Sequence, residues 1–259
     1  MTNRARLGLT FAPAMIAAIT LLAGCKNPAN PAAYLIDGDN AFEATQWNKA
    51  TESYEQYLAL REGNFRVRQR IGESYLYSGK YAEAAHHLRL VYVQRPGDDK
   101  VVDLLAEALY RGDKHDELYR LLRSEAIDSQ DLADWMRLGD YAMKLGDKDT
   151  AQTAYLSAAK VSGATSTKPY IALFDYYRGL GQKSLAINAI RNAAWVDSTD
   201  TKVAERIKLA GLIDGPTLPL MPAEARIGGS ANVDAPAVKK PLPKGAAKDR
   251  TVNPDLPPR

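Results

Sequence analysis

The chain has 259 residues, 46% of them apolar and 25% charged, with a formal net charge of +3. That is apolar material for about one large or two small domains, and it excludes global disorder. The charge falls to about +1 once Arg4 and Arg6 are set aside, a near-balance that argues against a general nucleic-acid binder.

The amino terminus places Arg4 and Arg6 before an uncharged stretch from Leu7 to Cys25, which closes on Leu22-Ala23-Gly24-Cys25. A basic start and an apolar middle ending in small residues are the arrangement of a secretory signal peptide over residues 1–24. Cys25 is the only cysteine, so no disulfide forms within the chain. Leucine, two small residues and cysteine at this place resemble the bacterial lipobox. The resemblance implies lipidation of Cys25, export, and a membrane anchor that several acyl chains at about 0.8 kcal/mol per methylene make effectively permanent. An uncleaved anchor and a chance cysteine after an ordinary cleavage site are the other readings. For the first, about 18 residues interrupted by Thr10, Pro13 and Thr20 make a short spanning helix. Lys26 rather than aspartate follows the cysteine, which implies the periplasmic face of the outer membrane if the cell is Gram-negative. Residues 25–33 form a tether with Pro28 and Pro31, whose coil reaches about 16 Å.

From Pro31 onward the sequence repeats. Ala50, Ala84, Leu118, Ala151 and Ala186 are equivalent positions 34, 34, 33 and 35 residues apart, the mark of a stack of similar units. The units run over about 31–64, 65–98, 99–131, 132–166 and 167–200, with a capping helix at 201–213. The clearest, Phe65 to Asp98, carries Ile71, Gly72, Tyr75, Gly79, Tyr81, Ala84, Leu88, Val91 and Pro96 at unit positions 7, 8, 11, 15, 17, 20, 24, 27 and 32. The fourth unit keeps Trp135, Leu138, Gly139, Gly146, Ala151, Tyr155 and Ala158. In the first, Asp37 and Ala41 replace large apolar residues, as suits a unit with no upstream neighbour. The third keeps Leu105, Ala106, Leu109, Leu118 and Leu122 but has no glycine at positions 8 or 15. In the fifth, Phe174 replaces the small residue at position 8, and a looser helix pair is expected there.

Apolar residues recur at helical spacing within each unit, with breakers such as Gly112-Asp113 between the two runs, so each unit reads as two antiparallel helices. The spacing resembles the tetratricopeptide repeat. That resemblance implies an all-α, right-handed solenoid of about five helix-turn-helix units plus a carboxy-terminal capping helix, with the first helix of each unit lining a concave groove.

Position 9 then reads Asp39, Glu73, Glu107, Asp140 and Asp175, five acids in five units, a coincidence of about one in a thousand at this acidic content. Beside them come Leu35, Phe42, Leu76, Tyr77, Tyr110, Met136, Met143 and Ile171. Carboxylates among aromatic and flexible apolar side chains suit an extended basic or amphipathic partner segment. The same carboxylates equally suit solvated helix faces, or pairing with Arg66, Lys100, Arg111 and Arg178.

Residues 214–259 change character. From 215 on they hold nine of the 14 prolines, no aromatic residue, seven Lys or Arg and four Asp or Glu, the composition of a disordered basic tail. Within it Lys239-Lys240-Pro241-Leu242-Pro243-Lys244 is a candidate extended ligand, a contact to cell-wall or lipid anions, or a solubilising extension; the 239–250 stretch could also fold back into the groove.

No catalytic pattern appears. His86 and His87 point about 100° apart on a helix and do not share a metal, and His115 reads as a surface residue. Asp37-Gly38-Asp39-Asn40 has its glycine misplaced for a calcium loop and Asn48 at the twelfth position. There is no phosphate loop, nucleophile elbow or zinc-protease pair. The expectation is a non-enzymatic protein without cofactor or metal that binds envelope proteins. Pilus-assembly lipoproteins, the outer-membrane assembly lipoprotein and organisers of cell-wall machinery share this build as resemblances.

Overall fold

The structure is a computed structural model that describes residues 30–226. The expected signal peptide, lipidated Cys25 and the basic stretch 239–250 lie outside the described residues. Among those described there are eleven α-helices and no strand. They form five antiparallel hairpins: α1 (Pro31–Glu43) with α2 (Trp47–Leu60), α3 (Phe65–Tyr77) with α4 (Tyr81–Gln94), α5 (Asp99–Arg111) with α6 (His115–Ser129), α7 (Leu132–Lys144) with α8 (Lys148–Ser162), and α9 (Lys168–Gly179) with α10 (Lys183–Val196). A last helix, α11 (Thr201–Leu209), follows. Each hairpin packs on the next, so the all-α solenoid read from the period is the observed fold.

Local chemistry sets each hairpin. Four of the five first helices, α9 being the exception, and α11 start on side-chain caps: Asn30 accepts from Ala32 N, Asn64 from Val67 N, Asp98 from Val101 N, Asp131 from Ala133 N and Asp200 from Lys202 N. Such caps satisfy amides that a helix start leaves without partners. The turn to the second helix has one geometry in all five units. Position 15 adopts positive φ, and the next amide donates five residues back, as from Lys80 N to Tyr75 O at 2.9 Å. Glycine is the natural occupant, and Gly79, Gly146 and Gly181 supply it. Thr45 (φ 56°) and Asp113 (φ 59°) take the same conformation with a side chain, so the turn forms even where glycine is missing.

Packing inside the hairpins corrects one expectation. The fifth pair is packed as closely as the second, although Phe174 replaces the small residue. Phe174 is 1% exposed, and the space it needs is left by Ala186, Ala189, Ala193 and Ala194, all buried on α10. The loosest pair is instead the third, where Leu118 stands at the position that is alanine in every other unit.

The ends differ from the middle. On α1, Asp37 is exposed, and among the described residues no helix precedes it. At the other end, residues 214–226, which their composition assigns to the tail, pack back on the last hairpin. Leu218 is buried, Arg191 Nε donates to Leu218 O at 2.8 Å, Leu220 N donates to Arg191 O at 3.0 Å, and Tyr170 OH donates to Glu224 Oε2 at 3.3 Å. This strap covers apolar surface that a further repeat would otherwise bury.

Candidate functional site: the first-helix face

The five position-9 carboxylates all have partners within the protein, and position 24 of the same unit selects which. Where position 24 is tyrosine the bond is internal to the unit. Tyr54 OH donates to Asp39 Oδ1 at 2.6 Å, and Tyr155 OH donates to Asp140 Oδ1 at 2.8 Å. Both tyrosine rings lie on a glycine at position 8; a methyl on Gly38 would come within 2.5 Å of the Tyr54 ring, and one on Gly139 would collide with Tyr155 in the same way. Where position 24 is Leu88, Leu122 or Ile190, the carboxylate turns to the next unit. Glu73, 4% exposed, pairs with Lys100 Nζ at 2.8 Å and accepts from Gln69. Glu107 accepts from Tyr141 OH at 3.0 Å and pairs with Arg111 on its own helix. Asp175 pairs with Arg206 of α11 at 3.1 Å.

These partners tune the acids in opposite directions. Burial pushes the Asp140 carboxyl above its ordinary range against the pull of Tyr155 and Lys144. Burial also works to raise Glu107, but hydrogen bonds from Arg111 and Tyr141, with the charges of Arg111 and Lys144, hold it below the usual range. The Tyr54 and Tyr155 phenols are pushed well up by burial and by their aspartates, so they stay protonated donors at neutral pH.

The structure brings part of the expected groove together. A hollow of about 990 Å³ opens on the face formed by the first helices of repeats four and five. Met136, Met143, Asp140 and Asp175 line it, with Ile171 and Tyr176. Tyr110 stands close by, its ring 5.6 Å from that of Tyr141, and Lys144 lies over both rings. Asp39, Glu73, Glu107, Leu76 and Tyr77 do not line the hollow. Leu76 is a core residue at 6% exposure, covered where α5 packs against α3, so no partner reaches it. Tyr77 is 55% exposed but belongs to a separate aromatic group with Trp47.

The charges in the hollow are sorted unequally. Arg137 is held by three carboxylates, those of Asp99, Asp103 and Asp134, and Asp175 by Arg206. Among the described residues Lys144, Lys168 and Lys202 have no ion pair. Sequence reasoning missed these lysines and Arg137. Reading positions 2 and 6 down the units as position 9 was read would have found all but Lys144, which stands at position 13: Arg66, Lys100, Lys168 and Lys202 fall at position 2, and Arg70, Arg137 and Arg206 at position 6.

Of the expected cations, Lys100 and Arg111 do pair with the acids; no ion pair of Arg66 or Arg178 occurs among the described residues. No three His, Cys, Asp or Glu side chains among the described residues converge on a possible metal position. No helix among them is long and apolar enough to cross a membrane. His86 and His87 meet edge to face at 5.4 Å, and burial lowers the pKa of His87.

No protein-family model and no curated protein matches the chain. Solved structures do. A MamA protein is similar at 18% identity, covering 72% of this chain and 98% of its own, with a TM-score of 0.51. A TPR repeats protein of Bacteroides fragilis is 14% identical over 71% of this chain and 99% of its own, with a TM-score of 0.46. A thermophilic TPR protein of Thermus thermophilus is 17% identical over 71% of this chain and 100% of its own, with a TM-score of 0.44. The likeness to the MamA protein, at this identity, is one of fold. The chain is an α-solenoid of tetratricopeptide type.

Proposed function

We propose that this chain is a membrane-tethered, non-catalytic docking scaffold of the bacterial envelope, which seats a segment of a partner protein in the hollow on the first helices of repeats four and five. The hollow carries the proposal: about 990 Å³ is room for several side chains of a helical or extended segment. Met136, Met143 and Ile171 offer adaptable apolar contact, and the ring of Lys144, Lys168 and Lys202 offers charge to acidic groups of the partner. The acids of the ladder are already engaged, Asp39 and Asp140 within their units and Glu73, Glu107 and Asp175 across to the next helix pair or cap. A partner with apolar anchors and flanking acids therefore fits better than the basic one expected from position 9 alone. The lipobox-like Leu22-Ala23-Gly24-Cys25 supports the tether.

A photoreactive residue at Met143, 42% exposed in the hollow, tests this in living cells against the same residue at Val93, 73% exposed on α4. Capture of one discrete envelope protein from 143 and not from 93 is expected, with a yield at least about tenfold lower after Lys144→Glu, Lys168→Glu and Lys202→Glu together, a loss of about 1.4 kcal/mol or more. Equal capture from both sites, or an unchanged yield in the triple variant, contradicts the proposal. Cys25→Ser is expected to move the chain out of the membrane fraction.

A further inference from the structure

The turn between α1 and α2 carries a second concave surface that the hollow does not use. A shallow depression of about 490 Å³ there is lined by Thr45, Gln46, Trp47, Asn48, Lys49 and Ser78. Its wall is aromatic: the Trp47 ring lies 4.9 Å from that of Tyr77 at a tilt of 41°, and 5.2 Å from that of Phe42 in an edge contact. Tyr77 is 55% exposed. The other lining side chains are all polar, and Gln46, Asn48 and Lys49 are exposed, with no side-chain hydrogen bond or ion pair among the described residues. Gln46 is the N-cap of α2 yet does not cap it, whereas Asp147 at the same place in repeat four accepts from Thr150 N. The backbone beneath them is fixed. Thr45 sits at φ 56°, and Gln46 N donates to Ala41 O at 2.8 Å, so free polar groups are presented from an ordered turn and little freedom is lost when a ligand engages them.

This composition selects a class of ligand. Side-chain amides and hydroxyls both donate and accept, which matches the paired donors and acceptors of neighbouring sugar hydroxyls. Indole and phenol rings have a negative face, which attracts the weakly positive C–H groups on one face of a pyranose. Among the described residues no aliphatic side chain lines the depression, so it lacks the apolar socket in which a peptide seats its anchor residue. No carboxylate lines it either. The one charge in the lining is Lys49, and Arg70, 4.3 Å over the Phe42 ring, brings a second cation to the aromatic group.

We infer that the depression at Trp47 and Tyr77 is a glycan-binding site, which takes a pyranose ring with its C–H face on the aromatic rings, its hydroxyl or N-acetyl groups on Gln46 and Asn48, and Lys49 favouring sugars that carry a carboxylate. The volume falls within the range of about 300–1,000 Å³ usual for small-ligand sites. Because the depression is shallow, it takes a sugar inside a longer strand as readily as a free one. The preference for a carboxylate is modest, since Lys49 is exposed and its charge is screened by solvent.

Calorimetric titration of the purified full chain tests this with three probes: an uncharged tetramer of N-acetylglucosamine, a tetrasaccharide alternating N-acetylglucosamine with the carboxylated N-acetylmuramic acid, and a polyglutamate peptide. Saturable binding of both sugars is expected, about threefold tighter for the carboxylated one, with no binding of the peptide. Gln46→Ala with Asn48→Ala removes two exposed side chains that hold nothing in the fold, and raises Kd for both sugars at least about tenfold, as does Tyr77→Ala. Lys49→Ala levels the two sugars. Thermal melts that match the parent establish that each variant is folded. No saturable binding of either sugar, binding of the peptide in their place, a Kd unmoved by the Gln46 and Asn48 pair or by Tyr77→Ala, or a preference that survives Lys49→Ala overturns the inference. None of these residues lines the hollow on repeats four and five, so failure here leaves the docking proposal to its own test.

Discussion

Repeats three and four share a period and differ in what holds them. In repeat four, Gly139 and Ala151 let α7 and α8 approach closely, the Tyr155 ring lies on the glycine, and its hydroxyl anchors Asp140 within the unit. In repeat three, Ala106, Leu118 and Leu122 take the same positions, the helices stand further apart, and Glu107 reaches Tyr141 in the unit beyond. The tightly bonded unit looks after its own carboxylate, and the loose one is fastened to its neighbour. Stability in the solenoid is thus divided between intrinsic and interfacial terms in a way that position 24 sets.

Exchanging position 8 breaks this contrast most strongly. Gly139→Ala forces the buried Tyr155 ring away and is expected to destabilise by about 1–3 kcal/mol. The reverse change, Ala106→Gly, meets no such ring but removes a fully buried methyl, so helix propensity and lost packing together cost about 1–2 kcal/mol. Urea unfolding of both variants checks the difference; equal losses would mean that the two units are held alike.

A smaller effect, and one of opposite sign in the two units, comes from pH. The folded Asp140 carboxyl is raised above its ordinary 3.8, so the native state keeps a proton that the unfolded chain has released, and this contribution to stability is lost as pH rises through the folded value. Asp140→Asn should therefore compare better with the parent at pH 7 than at pH 4. Glu107 is lowered from 4.5, so its contribution is present above that value and lost as pH falls through the folded one. Glu107→Gln should destabilise at pH 7 and approach the parent at pH 3. Unfolding curves across pH 3–7 for both variants read the two slopes; slopes of one sign would contradict the assignment.

The period, the hairpins and the polar first helix were legible because they rest on local chemistry: apolar spacing, caps, and a turn at position 15 that Asp113 and Thr45 complete as well as glycine does. The partners of the acidic ladder were not. Whether Asp140 or Glu107 bonds inward or outward depends on Tyr155 or Leu122 fifteen residues on, and on a residue supplied by the next unit. Leu76 looked like a groove residue because its helix face was right, yet the next first helix covers it. The strap was hidden by its prolines, since composition does not register that Leu218 is buried or that Arg191 awaits its carbonyl.

The account turns on the ladder being structural, and the Tyr155–Asp140 pair tests that most directly. A double-mutant cycle of Tyr155→Phe and Asp140→Asn, followed by urea unfolding at pH 7, isolates the pair. A favourable coupling of about 0.5–1.5 kcal/mol is predicted, because removing the phenol leaves the carboxylate without its donor. Additive effects, with no coupling between the two substitutions, would contradict it.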